Sequence, residues 1–145
     1  MNCSRCHPAA VSDYKNLLVW QKAHALAINA HRIALGVRAA RYSALRSQII
    51  RAAMSIPANI VEGRRQASER DFARFLRYSL NSAYELEYHF TLARDIRVIA
   101  DDDAKAVLLD VVEVTRMLHG LLRKIGLTAV SKSPAPVHEY ESSEQ

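Results

Sequence analysis

Apolar residues recur along this chain at alternating steps of three and four, and that spacing commits it to amphipathic helices. Val19, Ala23, Leu26, Ala30, Ile33 and Val37 step by 4, 3, 4, 3 and 4, which lines them up on one face of a helix with 3.6 residues per turn. Leu45, Ile49, Ala52, Ala53, Ile56 and Ile60 form a second such face. Val107, Leu108, Val111, Val114, Leu118, Leu121, Leu122 and Ile125 form another. With only four Gly and four Pro in 145 residues, half of them apolar, an all-β sandwich and low-complexity disorder are both excluded. The length suits one domain with its own core, needing no metal or disulfide as a staple.

The pattern predicts four helices. The first spans about 17–35, with Gly36 as its stop. The second spans about 43–62 and ends at Gly63; Pro57 lies inside it, lacks the N–H that would reach the Ala53 carbonyl, and is expected to kink it. The third opens at Ser68, an N-cap with Asp71 three residues on, and runs to about Val98. The fourth starts at Asp101-Asp102-Asp103, where carboxylates meet the positive end of the helix dipole, and closes on Arg123-Lys124 before Gly126. Short connections make neighbours antiparallel, so the expected fold is all-α: an up-and-down antiparallel four-helix bundle, kinked near Pro57. Residues 1–13 read as a flexible leader, 14–127 as the bundle and 128–145 as a disordered tail with Pro134 and Pro136 among serines and glutamates. No apolar run approaches 18 residues, and no apolar signal region follows Met1, so the expected compartment is the cytoplasm, with no membrane partner.

Charge is concentrated. Residues 32–77 hold ten arginines against Glu62, Glu69 and Asp71, a net +7 in a chain whose total is +5. Arginine's planar fork suits phosphate and carboxylate better than a lysine point charge does. On a wheel of the third helix with Phe72 at the origin, Leu76, Ser79, Ala83, Leu86 and Phe90 fall within about 40° of it, the core stripe. The opposite face carries Arg70, Arg74, Arg77, Asn81, Tyr84 and Tyr88. With Arg64 and Arg65, those arginines are the candidate nucleic-acid contacts, and Tyr84 and Tyr88 could stack bases. Arg and Tyr are also enriched where subunits meet, so the same face serves equally as a protein interface.

The sequence carries no complete catalytic or metal-binding pattern in a fitting context. Cys3-Ser4-Arg5-Cys6-His7 matches the C-x-x-C-H pattern of covalent haem attachment. That attachment requires export and a second axial ligand, and a zinc site there lacks a fourth ligand. The two cysteines are expected to be free thiols. A di-iron bundle needs paired Glu-x-x-His sequences, and only Glu85 with His89, at i+4, comes near. No Gly-rich phosphate loop or nucleophile elbow occurs. The expectation is a protein that is not an enzyme and needs no cofactor. Ser55 and Asn59, flanking Pro57, read as side chains that satisfy the backbone groups it releases, and Arg51 as a partner for Glu85 or Glu87.

Three stretches carry a family likeness. They are Val19-Trp20-Gln21-Lys22-Ala23; the run from Ser47 to Gly63 that includes Arg51, Ser55-Ile56-Pro57-Ala58-Asn59-Ile60 and Glu62-Gly63; and Phe72-Ala73-Arg74-Phe75-Leu76 with Glu85-Leu86-Glu87. Together, over about residues 14–125, they resemble the bacterial four-helix-bundle proteins encoded by intervening sequences of large-subunit ribosomal RNA genes. The accessory variability determinant of diversity-generating retroelements is of the same kind. Ile50 stands where that family often has a second arginine. The resemblance implies a homopentamer with a basic surface able to bind RNA or DNA and, in the retroelement branch, a reverse-transcriptase partner. It brings no catalytic residue: Trp20, Arg51, Ser55, Pro57, Asn59, Glu62 and Gly63 are its structural motif. The reading is a non-enzymatic, homo-oligomeric protein that binds nucleic acid without sequence preference. The alternative is an interaction scaffold whose Arg/Tyr faces join subunits or partners.

Overall fold

Four amphipathic segments too polar on one side to be buried outright can hide their apolar stripes only against one another. The computed structural model, which describes residues 13–126, shows that outcome. A 3-10 turn, Asp13–Asn16, precedes α1 (Leu18–Gly36); a second, Ala40–Tyr42, leads into α2 (Ser43–Arg64); α3 (Glu69–Asp95) and α4 (Asp101–Lys124) follow. Each helix packs on the next and α4 closes against α1, giving the up-and-down four-helix bundle that the spacing implies. The core is one cluster built around Phe90, Leu26, Ile49, Ile56, Ile60, Leu76, Leu86 and Leu118, all fully buried. Burying side chains of this size stabilises by about 1.5–3 kcal/mol each relative to exposure, against the entropy of ordering the chain.

The predicted stripes hold with their edges adjusted: Leu45 in α2 and Leu108, Leu121 and Ile125 in α4 are half-buried. In α1, Ala27 and Ala34 are buried and Ile33 is only half-buried. Four alanines on that face (Ala23, Ala27, Ala30 and Ala34) let a neighbour's backbone come close, so the contact line runs over the small residues and the bulkier Ile33 moves to its edge.

The α2–α3 seam is tied by polar side chains. Buried Ser79 donates its hydroxyl to the Ile56 carbonyl at 2.9 Å. Ser82 donates to Ser55 Oγ at 2.9 Å. Asn59 Nδ2 lies 2.9 Å from both the Ser55 carbonyl and the Ser55 hydroxyl, and donates to them. Ser55 and Asn59 are therefore occupied with each other and with α3, and α2 continues through Pro57 to Arg64. Arg51 is exposed, so it needs no carboxylate, and it forms no ion pair with Glu85 or Glu87; Glu85 instead lies 3.4 Å from His89 Nε2.

Two helix ends differ from expectation. Gly63 does not stop α2: it is buried inside the last turn, and no positive φ is found there. A Cβ at Gly63 would sit 2.7 Å from Phe75 Cβ and 3.0 Å from Phe72 Cδ2, so glycine is required by the close approach of α3. In turn, α3 ends at Asp95, three residues before Val98. Arg97 takes φ 60, its N–H bonds the Arg94 carbonyl at 2.9 Å, and the Val98 N–H bonds the Ala93 carbonyl at 2.8 Å. That is a Schellman cap with arginine in the position glycine usually holds, which no local sequence signal announces. At the other end, Ser68 caps as expected, its Oγ accepting the Asp71 N–H at 3.1 Å. The Asp71 carboxylate accepts from the Ser68 hydroxyl at 2.8 Å.

Candidate nucleic-acid interface

The stretch of ten arginines is continuous in sequence and divided in space. Because α1 and α2 are antiparallel, Arg32, Arg38, Arg41 and Arg46 lie at the end where α1 turns into α2, and Arg64, Arg65, Arg70 and Arg74 at the opposite end, where α2 turns into α3. The 22 residues of α2 put about 33 Å between the two ends, and about 27 Å from Arg46 to Arg64, with the exposed Arg51 between them. The first group is partly engaged in structure: Arg46 donates to the Val37 carbonyl at 2.8 Å, Arg32 to Asn29 Oδ1 at 2.8 Å, and the Arg41 guanidinium lies 5.1 Å from the centre of the Tyr42 ring. It also shares its end with Asp101, Asp102 and Asp103 at the start of α4.

The second group gathers cations. Arg64, Arg65, Arg70, Arg74 and Arg77 are all exposed, and Arg123 and Lys124 arrive beside them because α4 finishes at the same end. Arg70, Arg74 and Arg77 run as a stripe over about 10 Å of α3, and the exposed Asn81, Tyr84 and Tyr88 continue it. Arg74 pairs with Asp71 at 3.4 Å, both half in solvent, a contact worth little in water. The Arg74 guanidinium lies 5.5 Å from the Phe75 ring centre, and the Arg64 guanidinium 5.9 Å from that of Phe72, which holds both heads near the surface of the seam. Arg64 at the C-terminus of α2 also complements the helix dipole. Tyr84 reaches across to α4, its hydroxyl 3.0 Å from His119 Nε2, and stays 48% exposed; Tyr88 is 62% exposed. The structure thus presents every candidate contact residue on the surface, the arginines at one end and the tyrosines along the same helix.

The structural motif residues lie elsewhere. Trp20 is half-buried on α1, stacked on His24 with ring centres 4.9 Å apart, and Tyr14 meets it edge-on at 5.0 Å. Pro57 is buried, and the exposed Glu62 offers its carbonyl to Arg65 N and to the Gln66 side chain. Among the described residues, no three His, Cys, Asp or Glu side chains come together as a metal site. No helix among the described residues is long and apolar enough to cross a membrane. The leader with Cys3, Cys6 and His7 and the tail lie outside the described residues. A feature the spacing argument missed is an open apolar groove of about 770 Å³ between α1 and α2. Its signal was Ile28, Leu35 and Met54, apolar residues off the packing seams.

The 23S rRNA-intervening sequence protein family matches residues 15–120. The chain belongs to that family. Among solved structures, a protein of unknown function from the S23 ribosomal protein family of Bacteroides thetaiotaomicron is similar at 24% identity. The match covers 73% of this chain and 99% of that one, with a TM-score of 0.69, which shows a shared fold. No curated protein matches the chain.

Proposed function

We propose that this family member is a non-enzymatic cytoplasmic accessory protein that binds nucleic acid through phosphates, without sequence preference, at the arginine-rich end of the bundle. The carrying observation is the convergence, on one end, of Arg64, Arg65, Arg70 and Arg74 with Arg123 and Lys124 from α4, continued by Arg77 along α3. Phosphate binding needs several exposed cations on one surface and no base-reading pocket. Tyr84 and Tyr88 extend the surface with rings able to stack unpaired bases. Homo-oligomerisation, with five copies as the family resemblance implies, would multiply this surface, and exposed Leu109 and Val112 on α4 offer apolar area for it. A reverse transcriptase is the protein partner the retroelement branch suggests.

The test is binding of random-sequence RNA and DNA duplexes between 50 and 200 mM salt, where five phosphate contacts should weaken affinity by roughly 10²–10³-fold. Arg70→Ala/Arg74→Ala/Arg77→Ala should lower affinity and flatten the salt slope by about 3. Undetectable binding at low salt, or binding indifferent to salt, overturns the proposal. The exposed tyrosines beside arginines also support the second reading, an interaction scaffold. Under it, Arg74→Glu/Arg77→Glu changes the light-scattering mass, and the purified protein shows no raised 260/280 nm absorbance ratio.

A further inference from the structure

The α1–α2 groove lies away from the arginine stripe, and what it presents to solvent is unusual for a bundle surface. Ile28, Leu35 and Met54 are each more than half exposed, at 58%, 55% and 56%, and Trp20, Pro57 and Val61 complete an apolar floor. Arg32 and Arg38 stand at the end of the groove farther from Trp20. Contiguous apolar surface of this kind marks a docking site. A ligand for it should be apolar over the Trp20 side chain and anionic beside Arg32 and Arg38, the groove's own arginines.

We propose that the occupant is the chain's own C-terminal segment, residues 127–145. Three features point to it. The first is origin: α4 is antiparallel to α1, so Gly126 releases the chain at the end of the bundle where α1 begins, the Trp20 end of the groove. The second is chemistry: the segment carries Pro134-Ala135-Pro136-Val137 followed by Glu139, Tyr140, Glu141 and Glu144, with Lys132 as its one Lys or Arg. Proline segments dock on aromatic grooves at low entropic cost, and here the Trp20–His24 stack is the aromatic platform. The carboxylates that follow match Arg32 and Arg38.

The third is register. Helix α1 carries the groove from Trp20 to Ile28 over about 12 Å, and to Arg32 over about 18 Å. Extended chain at about 3.1 Å per residue covers about 12 Å from Pro136 to Tyr140 and about 16–19 Å from Pro136 to Glu141 and Ser142. With Pro136 over Trp20, Tyr140 therefore reaches Ile28 and the carboxylates reach Arg32. The eight residues from Gly126 to Pro134 span up to about 26 Å, enough to pass from the end of α4 to the groove. Tethering supplies an effective concentration on the order of millimolar, so even a weak contact is populated. The docked segment shields the apolar surface and lays its carboxylates beside the first arginine group.

Trp20 is the chain's single tryptophan and a ready reporter. In the full-length protein, Glu139→Gln/Glu141→Gln/Glu144→Gln should shift its emission to the red and raise acrylamide quenching about twofold; an unchanged spectrum and quenching overturn the proposal. Cross-linking supplies an independent readout. In a Cys3→Ser/Cys6→Ser background, Ile28→Cys/Tyr140→Cys should oxidise to a disulfide within one chain, seen as monomer mass on a non-reducing gel together with loss of both thiols to maleimide labelling unless a reductant is added. A disulfide between chains would assign the groove to a second copy, and no disulfide would leave the segment undocked; either result overturns the proposal. None of these positions belongs to the α3 arginine stripe, so the outcome is separate from that of the nucleic-acid experiment.

Discussion

Gly63 is the position where the packing of α2 on α3 can be tested by a single methyl group. In a helix interior, Gly→Ala ordinarily stabilises by about 0.8–1 kcal/mol, because alanine loses less backbone entropy on folding. At Gly63 the added Cβ would lie 2.7 Å from Phe75 Cβ and 3.0 Å from Phe72 Cδ2, where carbon atoms in contact prefer about 3.5–4.0 Å. The Phe72 ring could turn aside. Phe75 Cβ is bonded to the α3 backbone and cannot, so relief requires the two helices to separate by close to 1 Å along the seam that Ser79 and Ser82 bond across. Overpacking of this kind costs about 1–3 kcal/mol, and a clash with a backbone-anchored atom belongs at the upper end. Subtracting the propensity gain leaves Gly63→Ala less stable by about 1–2 kcal/mol. Gly120, inside α4, is the control. Its new Cβ meets nothing nearer than an Arg123 guanidinium nitrogen at 3.8 Å, so Gly120→Ala should gain close to the full 1 kcal/mol. Urea unfolding followed by helical circular dichroism, at one fixed protein concentration, reads both. With a urea slope of about 1.5–2 kcal/mol/M, the midpoint should fall by roughly 0.5–1.3 M for Gly63→Ala and rise by roughly 0.5 M for Gly120→Ala. A Gly63→Ala protein as stable as wild type would refute the view that close helix approach, and not chain termination, demands glycine there.

Two further substitutions have signs set by the structure. Arg97 occupies φ 60 at the end of α3, a conformation that costs a non-glycine residue about 1 kcal/mol, so Arg97→Gly should raise stability by about 0.5–1 kcal/mol. A lower unfolding midpoint for that variant would show that the arginine side chain outweighs its backbone. For half-buried Asp110, burial first and then neighbouring Glu113 raise the pKa above the ordinary aspartate value, while Lys22 lowers it. The folded state then binds the proton more tightly than the unfolded chain, so this stability is fully present in acid and is lost as pH rises above about 4. Asp110→Asn should remove that part of the slope and be at least as stable as wild type at pH 7; an unaltered pH profile of thermal unfolding would contradict it.

The repeat of apolar residues was sufficient for the four helices, their antiparallel order and most of the core, because a stripe every 3.6 residues has few alternatives to mutual burial. The outer face of α3 was legible for the same reason, since residues opposite a buried stripe must face solvent. The reason for glycine at Gly63 and the helix end at Asp95 were not legible. One depends on how near α3 passes, and the other on a left-handed turn built around an arginine.

Composition along the chain revealed ten arginines in one stretch, yet only the reversal of direction between α1 and α2 sends most of them to opposite ends of the bundle, about 33 Å apart along α2, with Arg51 between. The same reversal, repeated at each turn, brings Arg123 and Lys124 from the far end of the sequence to the arginines of α3. It also leaves an apolar groove beside Trp20 at the end where Gly126 releases the chain. Periodicity is a local property that a single helix can express. Which charges share a surface, and which apolar residues are left uncovered, are properties of the packed arrangement, set by distances between residues that the chain order keeps apart.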